Sequence, residues 1–269
     1  LLPTGRNFFT IDPDTIPSYA CWEVGRKMAD QMVDRHVKEM GCYPKNVGIV
    51  IWALDTMRTG GDDIAYILWL MGLRPRWSAT GGRVIGLDVI PLSELGRPRI
   101  DVTLRISGLF RDTFPNLIEM IDEGVEIIAS LDESDDENYL VKHLKEDIQK
   151  AIKLGLSPHE ARSQAIVRVF GDPPGTYGYG IDKMIESSKW TTTEDLAEAY
   201  ITWGAYAYGR GRHGEKMTEF FKDRMSQLDV TVKNHEDREF DLLDVDDEYG
   251  YLGGMNALIR TYRGRRPYT

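Results

Sequence analysis

The sequence predicts an α/β fold, with an open, mostly parallel sheet and flanking helices in the first half and a mainly helical second half. A continuous apolar run of strand length, residues 47–53, is typical of a parallel strand covered on both faces. Strand-like and helix-like segments then alternate up to residue 131, which indicates an open α/β sheet. We therefore predict an α/β sheet domain with an N-terminal arm at residues 1–132, and a mainly helical region packed against it at residues 133–269.

Local patterns predict the elements of the first region. Residues 1–17 contain three prolines and are expected to form an extended arm. Apolar residues at helical spacing predict a helix over residues 18–41, which ends at a glycine, and residues 54–61 are expected to form a polar loop. Periodicity predicts the remaining elements as helix, strand, strand and helix, over residues 62–72, 83–90, 100–106 and 115–131.

Helix-start signals organise the second region. Residues 157–160 read Ser-Pro-His-Glu, a capping-box pattern with proline at the first helical position, and residues 191–194 have the same spacing. Between them, the glycine-rich residues 171–180 predict a mobile or tightly turned loop. The acidic residues 241–251 miss the EF-hand spacing, so we interpret them as a solvated turn.

Composition excludes several classes of function. The net charge of −10 argues against a nucleic-acid-binding or anionic-membrane surface. No apolar run approaches the roughly 18 residues of a membrane span, and no signal peptide is visible. Two cysteines are too few for a disulfide framework, so a reduced, cytoplasmic setting is expected. The start without methionine suggests a piece of a longer polypeptide.

Nucleotide and zinc motifs are missing from the sequence. It contains no G-x-x-x-x-G-K-[ST] phosphate loop and no dinucleotide fingerprint after a strand. It has no H-E-x-x-H, and its five histidines lack the close spacing of zinc ligands. We therefore expect that this chain alone does not hydrolyse ATP.

Two loops are the strongest candidates for a binding site. Residues 54–63 follow the first predicted strand and residues 107–113 follow the third, so both leave the sheet at the edge where ligands bind in open parallel sheets. They bring Arg58 and Arg111 close to several carboxylates, and guanidinium groups bind carboxylates through paired hydrogen bonds. The glycines at 60–61 allow a ligand to approach the backbone. The alternative is that these glycines cap a helix and that the Arg–Asp pairs only tie the loops down.

Four segments carry a resemblance to known proteins: residues 4–8, 56–64, 91–102 and 106–112. Shorter matches continue in order as far as the glycines at 253–254. Together they resemble the cobaltochelatase/magnesium chelatase large-subunit family. The string Arg-Thr-Gly-Gly-Asp-Asp at residues 58–63 looks like the cobalt-inserting branch, the N subunit.

The resemblance implies that the chain is a C-terminal fragment of a large subunit that binds a tetrapyrrole and inserts Co²⁺ in cobalamin biosynthesis, a branch of porphyrin chemistry. Such an enzyme is a ligase that forms nitrogen–metal bonds, and separate AAA+ partner subunits hydrolyse its ATP. The isolated fragment is then expected to be inactive. Two alternatives stay open: a magnesium chelatase large subunit of chlorophyll biosynthesis, which would take Mg²⁺, and a non-catalytic docking module for the AAA+ partner.

Metal insertion requires a pocket for the macrocycle, groups that deliver a desolvated divalent ion, and a base for the two pyrrole protons. Loop position and residue type assign candidates to each task. The predicted substrate-binding residues are Arg58, Gly60, Gly61, Arg105 and Arg111, the predicted metal ligands are Asp55, Asp62 and Asp63, and the predicted catalytic residues are Asp112 and His143. For His143, on the polar face of its helix, a solvated surface role is the alternative.

Overall fold

The computed structural model describes residues 11–178, 180–235, 246–265 and 267–269, with only the backbone of Asp246. The first ten residues of the predicted arm, the segment 4–8 and most of the acidic turn that begins at residue 241 lie outside the described residues. The helices are α1 Tyr19–Met40, α2 Ala53–Thr59, α3 Asp62–Met71, α4 Leu92–Leu95, α5 Gly108–Thr113, α6 Pro115–Ala129, α7 Tyr139–Lys153, α8 Pro158–Ala165, α9 Ile181–Glu186, α10 Thr193–Gly204, α11 Thr218–Ser226, α12 Asp246–Glu248 and α13 Gly254–Arg263. The strands are β1 Asn46–Ile51, β2 Leu73–Trp77, β3 Val84–Val89, β4 Asp101–Ile106, β5 Val169–Gly171, β6 Tyr206–Gly209, β7 Arg212–Lys216 and β8 Val230–Lys233.

Six strands form one sheet in the order β7-β6-β5-β4-β1-β8. The strands β5, β4, β1 and β8 run parallel, while β6 and β7 extend the sheet as antiparallel neighbours. The strands β2 and β3 form a separate antiparallel pair. The predicted α/β class with a mostly parallel sheet and flanking helices is therefore confirmed.

The predicted central strand is β1, and its side chains supply both faces of the sheet. Ile49 and Ile51 are fully buried in a cluster with residues of α1, α3 and α6. Val50 points the other way, into a second cluster with residues of α10, α11 and α13. Coverage on both faces explains why the strand is apolar at nearly every position.

The two regions predicted from the sequence share this sheet. The strands β1 and β4 precede residue 132, whereas β5 to β8 follow it. Sequence patterns do not predict the later strands because each has only three to five residues and β5 runs directly into a glycine-rich segment. Such short runs show no usable alternation.

Several predicted helix boundaries are confirmed by the caps. Ser18 accepts a hydrogen bond from the backbone of Cys21 at the start of α1, and Gly41 ends that helix with φ +74°. The capping box at Ser157 opens α8 as predicted. The second capping box begins one residue later than predicted, at Thr192, because Asp195 supplies the returning carboxylate.

The prediction that these two segments are loops is wrong, because both contain short helices. The first segment contains α2, which ends at Gly60. The second contains α5, and Ser107, the residue before this helix, accepts a hydrogen bond from the backbone N–H of Phe110. One or two turns are too short to show helical periodicity. Among the described residues, no helix combines the length and apolar character needed to cross a bilayer.

Candidate active site at the carboxyl edge of the sheet

The carboxyl edge is the side of the sheet where the parallel strands β5, β4, β1 and β8 end. Helices α2 and α5 follow β1 and β4 there and contact each other. The structure therefore brings the two predicted segments together, with Arg58 in the last turn of α2 and Asp112 in α5 on the same side of the sheet. Asp172 follows β5, and Lys233 ends β8, at the same edge.

Arg111 holds the glycine-rich segment against α5. Its Nε and Nη2 donate to the two carboxylate oxygens of Asp112 at 2.6 and 2.8 Å, and its Nη1 donates to the carbonyl oxygen of Pro173 at 2.8 Å. The hydroxyl of Tyr177 donates to Asp112 Oδ2 at 2.7 Å. The hydrogen bond from Arg111 lowers the pKa of Asp112, whose side chain is 39% exposed, so Asp112 presents an anion to solvent.

Arg105 is enclosed within the protein. Its guanidinium forms an ion pair with Asp172 and donates to the carbonyl oxygen of Ile106 at 2.7 Å. The rings of Tyr251 and Tyr200 lie against it, with centroids 5.0 and 5.7 Å from its Cζ. These contacts hold Arg105 in place inside the protein at the carboxyl edge.

The glycine pair serves the packing of the chain. Gly60 and Gly61 have φ values of +80° and +104°, a left-handed region that favours glycine, and they end α2 and open α3. A Cβ atom on Gly61 would lie 2.5 Å from Ile16 Cγ2. This geometry agrees with the alternative in which the two glycines cap helices.

A buried ammonium group organises the other half of the edge. The Lys233 side chain is 1% exposed; it forms an ion pair with Asp55, and its Nζ donates to the carbonyl oxygen of Asn234 at 2.6 Å. The Nζ also lies 3.8 Å from Glu248 Oε1 and 4.1 Å from the ring centroid of Trp52. We call Lys233, Asp55, Asp63, His235 and Glu248 the Lys233 cluster.

Carboxylates outnumber ammonium groups in the Lys233 cluster. Burial raises the pKa of Asp63 to about 7, against the opposing charge of Lys233, and the side-chain amide of Asn234 donates to Asp63 Oδ1. Burial also raises the pKa of Glu248, again opposed by Lys233. Among the described residues, Lys233 is the ammonium group that faces Asp55, Asp63 and Glu248, and the raised pKa of Asp63 lets the cluster take up a proton near neutral pH.

The three predicted metal ligands do not meet at one point, although Asp55 and Asp63 both belong to the Lys233 cluster. Asp55 faces Lys233 and Asp63 faces Asn234, whereas Asp62 interacts with Cys21 and has its pKa raised by burial. Across residues 11–178, 180–235, 246–265 and 267–269, no three His, Cys, Asp or Glu side chains are grouped so that they can hold a metal ion.

His143 lies at the opposite edge of the sheet, where the parallel strands begin. Its Nδ1 is 2.9 Å from Oδ2 of Asp101, the first residue of β4. The structure therefore does not bring His143 to Asp112. His235 is instead the imidazole near the carboxyl edge, and its Nδ1 lies 3.5 Å from Glu248 Oε1.

Sequence reasoning missed Lys233, His235, Asp172 and Glu248. The first two stand at and just after β8, which at four residues is too short to be identified as a strand from its pattern. Glu248 was seen only as part of an acidic turn. A lysine at the end of an apolar strand, followed by Asn-His, was the available signal.

Comparison with known proteins places these features in a family context. The family model described as CobN/Magnesium Chelatase matches residues 1–269. The aerobic cobaltochelatase subunit CobN of Pseudomonas aeruginosa is 45% identical over 264 residues, which cover 98% of this chain and 21% of that protein. A magnesium-chelatase subunit of Chlorobaculum parvum is 36% identical over 261 residues, 97% of this chain and 20% of that protein.

A solved structure agrees with the sequence matches. The catalytic subunit of cobaltochelatase from Mycobacterium tuberculosis superposes with a TM-score of 0.93 at 42% identity, over 98% of this chain and 22% of that chain. The chain thus spans about a fifth of the length of these relatives.

Proposed function

Because the chain belongs to the CobN/magnesium chelatase family, we propose that it is part of the large subunit of an ATP-dependent tetrapyrrole metal chelatase of the cobalt-inserting kind. Of the relatives compared above, the cobaltochelatases are the more similar, which supports Co²⁺ as the metal substrate. The tetrapyrrole would be the second substrate, and the reaction would form nitrogen–metal bonds.

The observation that carries this proposal is the surplus of buried carboxylates in the Lys233 cluster. A free-base macrocycle must lose its inner N–H protons when a divalent ion enters it, and groups with a pKa near neutral accept protons efficiently. Asp63, with a pKa of about 7, gives the cluster a group that exchanges a proton in this range. Asp55 and Asp63 therefore act in this proposal as charge and proton partners of Lys233, not as direct ligands of the metal.

The other half of the edge would bind the macrocycle. Arg58 would pair with an acidic side arm of the tetrapyrrole, since guanidinium groups match carboxylates in charge and geometry. Arg111 and Asp112 would hold the neighbouring segment in place through the ion pair they form with each other. Arg105, which is buried and paired with Asp172, would support this surface from inside the protein.

ATP would be hydrolysed by separate AAA+ partner subunits. The chain has no phosphate-binding loop in its sequence, so the energy source must lie elsewhere in this proposal. We expect a highly purified sample of the chain to show no ATP turnover. Turnover that is abolished by a substitution in this chain would contradict the proposal.

The test is a metal-insertion assay on the full-length subunit with its ATPase partners. A corrin precursor and a porphyrin are each supplied with Co²⁺ and with Mg²⁺ in turn, and the absorbance change of the macrocycle reports insertion. We expect ATP-dependent insertion of Co²⁺ in preference to Mg²⁺. Preference for Mg²⁺ into a porphyrin would instead support the magnesium branch, whose Chlorobaculum parvum member matches nearly the whole chain. Partner binding without tetrapyrrole binding would support a docking role.

A further inference from the structure

Glu248 is an enclosed carboxylate with few contacts. Its side chain is 2% exposed, and neither carboxylate oxygen accepts a hydrogen bond of ordinary geometry from any described residue. Buried polar groups are nearly always hydrogen-bonded, so such an atom is a sign of a functional requirement. Glu248 also directly precedes a π-helical turn, Tyr249–Gly253, a rare conformation that is frequent at functional sites.

His235 is a partly exposed side chain that lies next to the buried Glu248. Its side chain is 27% exposed, and its Nδ1 approaches Glu248 Oε1 at 3.5 Å. A carboxylate close to one ring nitrogen stabilises the imidazolium that forms when the other nitrogen takes a proton. Within the described part of the chain, Lys233 at the end of β8 and Asp55 in α2 also face Glu248.

We propose that His235 and Glu248 form the proton-accepting pair of the metal-insertion step, with His235 Nε2 as the base and Glu248 as its positioning partner. This inference rests on the function proposed above. A pyrrole N–H bond breaks and an N–H bond forms at His235 Nε2, and the electron pair left on the pyrrole nitrogen binds the incoming divalent ion. Glu248 stabilises the imidazolium through Nδ1, and Nε2 then releases the proton to water.

The surroundings of Glu248 favour proton transfer over metal coordination. Lys233 lies 3.8 Å from Glu248 Oε1, and an ammonium at that distance repels a divalent cation. Burial raises the pKa of Glu248 because it destabilises the carboxylate anion. A positive charge that forms on His235 during the reaction would therefore stabilise that anion. The same ammonium compensates part of the neighbouring carboxylate charge while the imidazole of His235 is neutral.

The experiment compares His235→Gln, Glu248→Gln and the double variant in the full-length subunit with its partners. Initial rates of Co²⁺ insertion are measured across the range in which imidazole titrates. We expect each single variant to lose at least about 100-fold in turnover, the usual scale for general acid–base catalysis, with KM for Co²⁺ and the tetrapyrrole unchanged. The acid limb of the pH profile should vanish in His235→Gln. The double variant should be no slower than the slower single variant, because the two residues act as a unit.

The control is His159→Gln, an exposed histidine in the first turn of α8, which should keep the rate of the unaltered subunit. If His235→Gln inserts Co²⁺ normally, the pair is overturned while the proposed function stands. A loss expressed in KM for Co²⁺ alone would make these residues metal ligands and would also overturn the pair. An unaltered subunit that inserts no metal would overturn the proposed function and the pair together.

Discussion

Two buried charge clusters, one at each edge of the parallel strands, differ in how their charges balance. At the amino edge, Asp101 accepts hydrogen bonds from Arg168 Nε at 2.7 Å and from Arg224 Nη2 at 2.9 Å. Arg224 also pairs with Asp147 at 3.2 Å, so two arginines face two aspartates. At the carboxyl edge, Lys233 faces Asp55, Asp63 and Glu248.

This difference separates a structural cluster from a chemical one. Burial alone would raise the pKa of Asp101, but Arg168 and Arg224 outweigh it and hold the pKa well below its usual range. At the carboxyl edge burial prevails, and the pKa values of Asp63 and Glu248 rise. The same depth of burial therefore fixes the charge of Asp101 and leaves the charge of the Lys233 cluster exchangeable.

The largest effect should come from Asp101→Ala. The change leaves two buried arginines without their shared carboxylate, and breaking a buried ion pair in this way costs about 3–5 kcal/mol in the free energy of unfolding. Urea titration of the chain measures it. The control is Asp135→Ala on the surface, where the partner Lys145 is exposed and little change is expected. A loss at Asp101 as small as that of the control would show that the amino edge does not hold the sheet together.

The second prediction concerns how stability depends on pH. The folded pKa of Asp63, about 7, lies above its unfolded value near 3.8, so the folded state binds the proton more tightly. Stability should be greatest below pH 3.8 as far as this group is concerned, and fall as pH rises towards 7, by at most about 1.4 kcal/mol per pH unit. Asp101 acts in the opposite sense below about pH 5, where the unfolded chain takes up a proton that the folded state does not. Above that pH it adds no slope, because its carboxylate is ionised in both states.

Urea unfolding at a series of pH values, with Asp63→Asn beside the unaltered chain, isolates this contribution. The variant should lose part of the decline between pH 4 and 7, because the amide imitates the protonated acid. Equal slopes in the two proteins would show that Asp63 is ionised throughout. The surplus of carboxylates at the carboxyl edge would then require another explanation.

The sequence predicts the framework better than the site. The strand β1 and the helices α1, α3 and α6 follow from apolar patterns that extend over enough residues to reveal their period. The position of Arg58 and Asp112 at one edge follows from strand direction alone. Pairing across distant segments does not: Lys233 reaches Asp55 over 178 positions, and nothing local in either segment indicates the other.

The contacts that single side chains make are harder to predict for the same reason. Arg105 was predicted to bind substrate from its position near a strand end, yet Asp172, 67 positions later, encloses it. His143 was predicted as catalytic from its residue type, and Asp101 draws it to the other edge. Whether either contributes to the reaction remains a prediction, but Arg105 forms a buried ion pair with Asp172 and His143 lies against the buried Asp101.

The smallest effect expected is on ligand binding, from Arg58→Ala at the carboxyl edge. Loss of a charge-assisted hydrogen bond in a partly desolvated site should weaken tetrapyrrole binding by roughly 1–3 kcal/mol. The melting transition should barely move, because Arg58 lies in the last turn of a short, partly exposed helix. A fluorescence titration of the full-length subunit with a corrin precursor measures the affinity, and Arg265→Ala at the amino edge, with an exposed side chain paired to Asp229, is the matched control. Equal affinities for both variants, or a loss of affinity accompanied by a loss of folding, would assign Arg58 a structural role.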